Sequence, residues 1–238
     1  MTVEDLEQAA EAGPPQRRRD PVRLVARTLG ELLITAGVLV LLFVVYQLVW
    51  TNVQADREAA RETSALQEQW VEQPTSKEFA RPLRQGKAFA LMYIPRLGKK
   101  FEVPVVQGVS LDDLAKGVGH YPQSALPGRV GNFAVAGHRA TNGEPFAYLD
   151  QLRAGDAVVV ETSTKWYTYV VDDGYIVAPT QVEVVAPVPN DPQAVPTERL
   201  LTLTTCNPRW DSYERLIFNG VLADTQLKSE GRPAALGG

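Results

Sequence analysis

The longest interruption of the polar and apolar alternation along this chain is LLITAGVLVLLFVVYQLVW, residues 32–50, which carries no charge. As a helix it extends about 28 Å at roughly 1.5 Å per residue, close to the ~30 Å hydrocarbon core of a bilayer. Tyr46 and Trp50 fall toward one end, where amphipathic aromatic rings favour the membrane–water boundary. The run is longer than the apolar segment of a secretory leader, and no A-x-A cleavage site precedes the charged stretch NVQADREAARE. The pattern therefore predicts an uncleaved signal-anchor rather than a removed leader. Arg17, Arg18, Arg19, Arg23 and Arg27 precede the span, and only Arg57 and Arg61 occur in residues 51–70. That bias predicts a cytoplasmic N-terminus and an extracellular remainder in a single-pass membrane protein. The clustered arginines also fit a twin-arginine export signal, which an anchored chain does not need. Residues 1–31 read as a disordered cytoplasmic tail before the anchor.

Residues 52–73, NVQADREAARETSALQEQWVEQ, lack Gly and Pro and stop at Pro74. They predict a polar helix with a solvated face, and residues 51–85 as a whole read as a stalk or linker. From Gly86 the texture changes to short β-branched and aromatic runs divided by Gly, Pro, Asn or Asp. They are FALMYIP (89–95), FEVPVVQ (101–107), NFAVAGH (132–138), AVVVET (157–162), WYTYVV (166–171), GYIVA (174–178), LLTLTT (200–205) and RLIFNGVLA (215–223). About eight strands with little helix predict an all-β barrel or sandwich over residues 86–224. The segment SLDDLAKGVGHYPQSA (110–125) is the best candidate for a helical turn, with Ser110 as N-cap and Asp112 and Asp113 in the first turn. Residues 225–238, TQLKSEGRPAALGG, read as a disordered tail.

Composition narrows the functional classes. A net charge of −4 argues against nucleic acid as a partner. The carboxylate pairs Asp112/Asp113 and Asp172/Asp173 read as a helix start and a turn, so neither a metal nor a cofactor is expected. Cys206 is the one cysteine. Outside the membrane, structural cysteines come in disulfide pairs, so a single thiol is either a small buried hydrophobe or a reactive group.

A thiol nucleophile needs a proton acceptor or a cationic neighbour, because the thiolate is the attacking species. The chain offers two histidines, His120 and His138, and Arg209 and Arg215 soon after the cysteine. His138 ends the strand NFAVAGH, Cys206 ends LLTLTT, and Arg215 opens the next strand. All three thus stand at strand ends, where a rigid scaffold can aim side chains into one cleft. Strand parity puts Thr202 and Thr204 on the same face as Cys206.

GNFAVAGHR, TLTTC sixty-eight residues on (138 to 206), an arginine nine residues further (206 to 215) and an N-terminal anchor together resemble the sortase family. GHYPQSALPGRVGNFAVAGHR and TLTTCNP resemble most the class E sortases of high-GC Gram-positive bacteria. The resemblance implies an eight-stranded β-barrel transpeptidase with Cys206 as nucleophile, His138 as proton carrier and Arg215 as electrophilic donor. It implies cleavage of an LAXTG- or LPXTG-type sorting signal between Thr and Gly, through a thioester that a peptidoglycan amine resolves to anchor the protein in the wall. Tyr121, Thr204 and Thr205 are then the expected substrate contacts. Tyr121 resembles the residue placed to meet the backbone N–H of the second signal residue, which Ala has and Pro lacks.

Other thiol enzymes of the wall fit less well. Papain-like peptidases place Cys before His, and L,D-transpeptidases resemble S-x-G-C-x-R, whereas TTCNPR lacks that glycine. A class C-like pilin polymerase remains open within the family, although residues 74–85 carry no D-P-[WF] lid motif. So does a noncatalytic anchored β-barrel binding module.

Overall fold

The computed structural model describes residues 21–73, 78–79 and 82–237, and these divide into two compact units that meet between Gln47 and Leu48. The expected tail is therefore only partly visible: residues 1–20 lie outside the described residues. The first unit contributes helix α1, Pro21–Val45, which has no buried residue and is long and apolar enough to cross a membrane. Its helical start at Pro21 precedes the uncharged run, since Pro at the first helical position sacrifices no hydrogen bond. Five residues with π-type hydrogen bonding, Tyr46–Trp50, follow it.

The second unit opens with helix α2, Thr51–Glu72. Its strands are β1 (Ala88–Tyr93), β2 (Glu102–Gln107), β3 (Val118–His120), β4 (Gly131–Ala136), β5 (Ala157–Glu161), β6 (Lys165–Val171), β7 (Tyr175–Val177), β8 (Arg199–Asn207) and β9 (Glu214–Leu227). Eight of them close into a mixed barrel in the order β1-β2-β3-β4-β8-β9-β6-β5, with β2–β3 and β4–β8 parallel and the remaining pairs antiparallel. The strand count matches the sequence pattern, but the membership differs. GYIVA became β7, which pairs only with β9 outside the ring. Its place is taken by β3, three residues from the stretch read as helical; only Leu111–Leu114, helix α3, is helix there. Ser110 does cap α3 in a capping box with Asp113. Strand β3 is too short to alternate visibly, and Gly119 lets it approach Gly108, where a Cβ would come within 2.3 Å of the Gly108 carbonyl oxygen.

The barrel interior is filled by alternate residues of each strand, among them Met92, Val105, Phe133, Val135, Val158, Tyr169, Leu201, Leu203 and Phe218. Along β8 the inward parity of Leu201 and Leu203 turns Thr202, Thr204 and Cys206 to the outer face. Along β9, Leu216 and Phe218 point in, and Ile217 packs outside with Val177 and Val184.

Two expectations about the flanking segments are corrected. Helix α2 is not a free stalk. Its buried Leu66 and its Trp70 cover Leu91, Tyr93, Val159 and Trp166 on the outer face of β1, β5 and β6. The helix looks polar in sequence because so few of its positions, Ala55 and Leu66, are buried. The tail after residue 224 is also ordered through Leu236. Leu227 pairs with Lys165, Lys228 bonds Glu161 at 2.5 Å and lies 4.2 Å from the Trp70 ring, and Leu236 joins the cluster under α2. Ala, Gly and Lys in that tail gave no periodic signal, because single contacts rather than a repeated face hold it down.

Candidate active site

The site is built from the three-strand ribbon β4-β8-β9 on the barrel's outer face. Cys206 and Arg215 are direct partners across the antiparallel β8–β9 ladder, with Thr204 opposite Ile217 one step inward. Partners in such a ladder project to the same face with strands about 4.8 Å apart, so the thiol and the guanidinium flank one strip of surface. On the other side, β4 and β8 run parallel with Ala136 level with Thr204. The pairing continues past the end of β4: the Gly137 N–H donates to the Thr204 carbonyl at 3.1 Å, and the Thr205 hydroxyl donates to the Gly137 carbonyl at 2.8 Å. Extending that register by two residues sets His138 beside Cys206. The parallel pairing makes both strands end at the same pole.

Each group has a distinct environment. Cys206 is partly exposed and unpaired. His138 is partly buried; its Nε2 is sealed from solvent and has no hydrogen-bond partner among the described residues. Burial holds its pKa below the ordinary imidazole value, because desolvation penalises the charged ring. Nη1 of Arg215 donates to the carbonyls of Ser212 and Glu214 at 2.6 and 2.7 Å, which fixes the fork against the β8–β9 loop. Its Nε–H and Nη2 hydrogens have no acceptor among the described residues.

Tyr121 follows β3 in a turn closed by the Ser124 N–H to the Tyr121 carbonyl at 2.9 Å. Its hydroxyl lies 3.3 Å from Thr204 Oγ1, which is also 3.3 Å from the Val135 carbonyl oxygen. With Thr204 donating to Val135, the Tyr121 hydroxyl donates to Thr204 and retains lone pairs for an incoming donor. Thr205 is brought to a different place from the one expected. It shares the inward parity of Leu203, is 3% exposed and spends its hydroxyl on Gly137, so it ties β4 to β8 and offers nothing to a ligand.

The other candidates are otherwise engaged. His120 is 1% exposed between Phe89 and Phe133, with Gln107, Ser124 and the Ala125 carbonyl around its nitrogens. Burial lowers its pKa to about 4. Arg209 pairs with Glu144 at 2.7 Å and stacks on Tyr148 and Trp210. Arg139 is the residue that the sequence reading passed over. It is 6% exposed, and its Nη1 donates to the Cys206 carbonyl at 3.3 Å and to Asn207 Oδ1, while Nη2 meets Asp150 at 3.3 Å. It clamps the residue after His138 to the backbone of Cys206. The only signal for it was its place in GHR, next to the histidine. Among the described residues no three His, Cys, Asp or Glu gather as a metal site would require.

The arrangement resembles that of known proteins over most of its length. A family profile described as the sortase domain matches residues 92–223. Sortase SrtE1 of Streptomyces coelicolor is 41% identical over 236 residues, covering 95% of this chain and 66% of SrtE1. The chain thus spans just under two thirds of that relative's length. Sortase SrtE2 of the same organism is 34% identical, covering 93% of each chain. Among solved structures, sortase E from Streptomyces avermitilis superposes with a TM-score of 0.59 at 49% identity, over 64% of this chain and 99% of its own. On the matched family profile and the shared sequence, the chain belongs to the sortase family.

Proposed function

We propose that this chain is a membrane-anchored sortase that cleaves an LAXTG/LPXTG-type signal between Thr and Gly and transfers the protein to a peptidoglycan amine. The observation that carries the reading is the direct opposition of Cys206 and Arg215 across β8–β9, with His138 delivered to the same pole by β4. Attack of Sγ on the Thr carbonyl forms a carbon–sulfur bond, and the thiol proton passes to the imidazole of His138. The ring is suited to that proton because burial holds it neutral. The tetrahedral oxyanion takes the free donors of Arg215, which stay charged at any working pH. Collapse breaks the Thr–Gly bond, and the imidazolium protonates the departing Gly amine.

In the second half, the acceptor amine adds to the thioester, loses a proton to His138, and expels Sγ, which takes that proton back. Helix α1 anchors the chain with its N-terminus in the cytoplasm and the barrel outside, in keeping with the arginine bias before the span. Tyr121, with Thr204 behind it, lies where the second residue of the signal passes, and its hydroxyl lone pair accepts the backbone N–H of Ala.

The test is to incubate the full chain in detergent with fluorogenic LAXTG and LPXTG peptides, with and without an amine acceptor, alongside Cys206→Ala. The reading requires cleavage that disappears in Cys206→Ala and an amide product that appears with the amine. Cleavage that survives Cys206→Ala would discard it.

A further inference from the structure

Helix α2 reaches the active site through one side chain. The loop after His138 turns at Asn142, Gly143 and Glu144, whose φ angles are 54°, 77° and 38°. Three successive left-handed residues, two of them bearing side chains, are a conformation that the chain does not hold unaided. Asn52 in the first turn of α2 supplies the hold. Its Oδ1 accepts the Gly143 N–H at 3.1 Å, and its Nδ2 donates to Glu144 Oε1 at 3.2 Å. The other oxygen of Glu144 takes Arg209 at 2.7 Å, and Arg209 lies in the loop that follows Cys206. The helix stands close enough that a Cβ on Gly143 would meet Ala55 Cβ and Asp56 Oδ1 at 3.3 Å.

This contact is not a by-product of general packing. Between it and the apolar seat of Leu66, the helix leaves a cavity of about 340 Å³, lined on its side by Ala59, Ala60, Thr63 and Ser64 and on the barrel's by Val103 and Pro104. The helix thus meets β1 and β2 through the apolar seat of Leu66 and through Glu62 on Lys87 and the Ala88 N–H. Separately, across the cavity, it meets the loop that carries the histidine through Asn52.

We propose that Asn52 is a positioning residue for the transfer reaction. It fixes the left-handed tip of the His138 loop and, through Glu144 and Arg209, couples that loop to the one leaving Cys206, so that the segment following the anchor sets the spacing of imidazole and thiol. The proposal rests on the sortase reading for its cleavage assay, and a substrate-free assay keeps the two separable.

The experiment uses the full chain in detergent and the variants Asn52→Ala and Asn52→Asp, with Gln54→Ala as an exposed control on the same helix. The first readout is the rate of Cys206 alkylation by iodoacetamide against pH, which follows thiolate formation and its coupling to His138 without any substrate. The charges around the pair, on Arg139, Asp150, Glu214 and Arg215, are unchanged in every variant, as are Asp56, Glu144 and Arg209 beside the substituted position. The second readout is kcat and KM on the signal peptide, and the third is thermal unfolding.

The expected result is a displaced alkylation profile and a kcat lowered roughly tenfold with KM nearly constant, since small misplacements of reacting groups cost rate steeply. Asn52→Asp is the more severe, because it sets a carboxylate against Glu144, and Gln54→Ala behaves as wild type. Profiles and kcat that coincide with wild type would overturn the proposal, as would a change confined to KM or to melting temperature. If wild type fails to cleave the peptide while the alkylation profile of the variants is displaced, the substrate assignment falls and the positioning role stands.

Discussion

Arg215 stands directly across the β8–β9 ladder from Cys206, with its Nη1 already tied to two carbonyls of the connecting loop. The guanidinium is thus pre-ordered before any substrate arrives, and ordering it costs nothing at the moment of reaction.

Removing that donor makes the first prediction. Arg215→Ala lowers kcat by about 10²–10³, the usual loss for an oxyanion donor. Arg215→Lys recovers little, since a point charge does not reproduce the fork. Melting temperature stays within a few degrees, so activity and stability measured together separate this from unfolding.

Tyr121 bears on signal choice. Tyr121→Phe removes the acceptor for the Ala N–H and narrows the LAXTG over LPXTG ratio of kcat/KM, by an amount on the order of 1–3 kcal/mol. Thr204→Val leaves the tyrosine hydroxyl but removes its partner 3.3 Å away, and its effect is smaller. A ratio unaltered in Tyr121→Phe would sink the assignment.

Arg139 predicts a stability effect with a functional echo. Arg139→Met leaves the Cys206 carbonyl and Asn207 without their donor, at a cost of roughly 2–3 kcal/mol for charge-assisted bonds. Thermal unfolding of the variant should show a clear drop, and cleavage should fall with it because the residue after His138 is released.

The pH dependence of stability follows from the buried histidines. His120 is held neutral to about pH 4 and His138 is shifted in the same direction. Below pH ~6.5 the unfolded chain takes up a proton that folded His120 refuses. Stability is therefore full above pH ~6.5, falls as pH drops toward 4 by about 3 kcal/mol for His120, and levels off below. Denaturant midpoints measured from pH 7 to 4 check the slope, and His120→Gln removes most of it.

Truncation tests the seat of α2. A chain beginning at residue 80 uncovers Leu91, Tyr93, Val159 and Trp166, and is expected to melt several degrees lower and to bind an apolar dye. An unchanged melting temperature would mean that the helix contributes nothing to the barrel.

Much of this architecture was legible in the sequence, and the failures have physical causes. The long strands announced themselves because each buries one face, so LLTLTT and RLIFNGVLA alternate or run apolar. Strand β3 did not, since three residues including a glycine carry no period. Cys206 was conspicuous by number and by its strand-end position. Arg139 was not, because a buried cation is recognised only by its partners, and those lie on a strand sixty-seven residues away. Thr205 was expected as a substrate contact through the family resemblance, whereas strand parity already set it on the face opposite Thr204 and Cys206, where its hydroxyl bonds Gly137. The docking of α2 and the order of the C-terminal tail depend on a few scattered contacts between segments far apart in sequence, which no local window contains.

The parallel pairing of β4 with β8 has an evolutionary corollary. Because the paired strands set the register of imidazole, sulfur and guanidinium, residues 178–198 between β7 and β8, which supply none of the three groups, can lengthen, shorten or change composition without moving them. Such a design lets the walls of the groove be rewritten for new signals while the reacting atoms stay where they are.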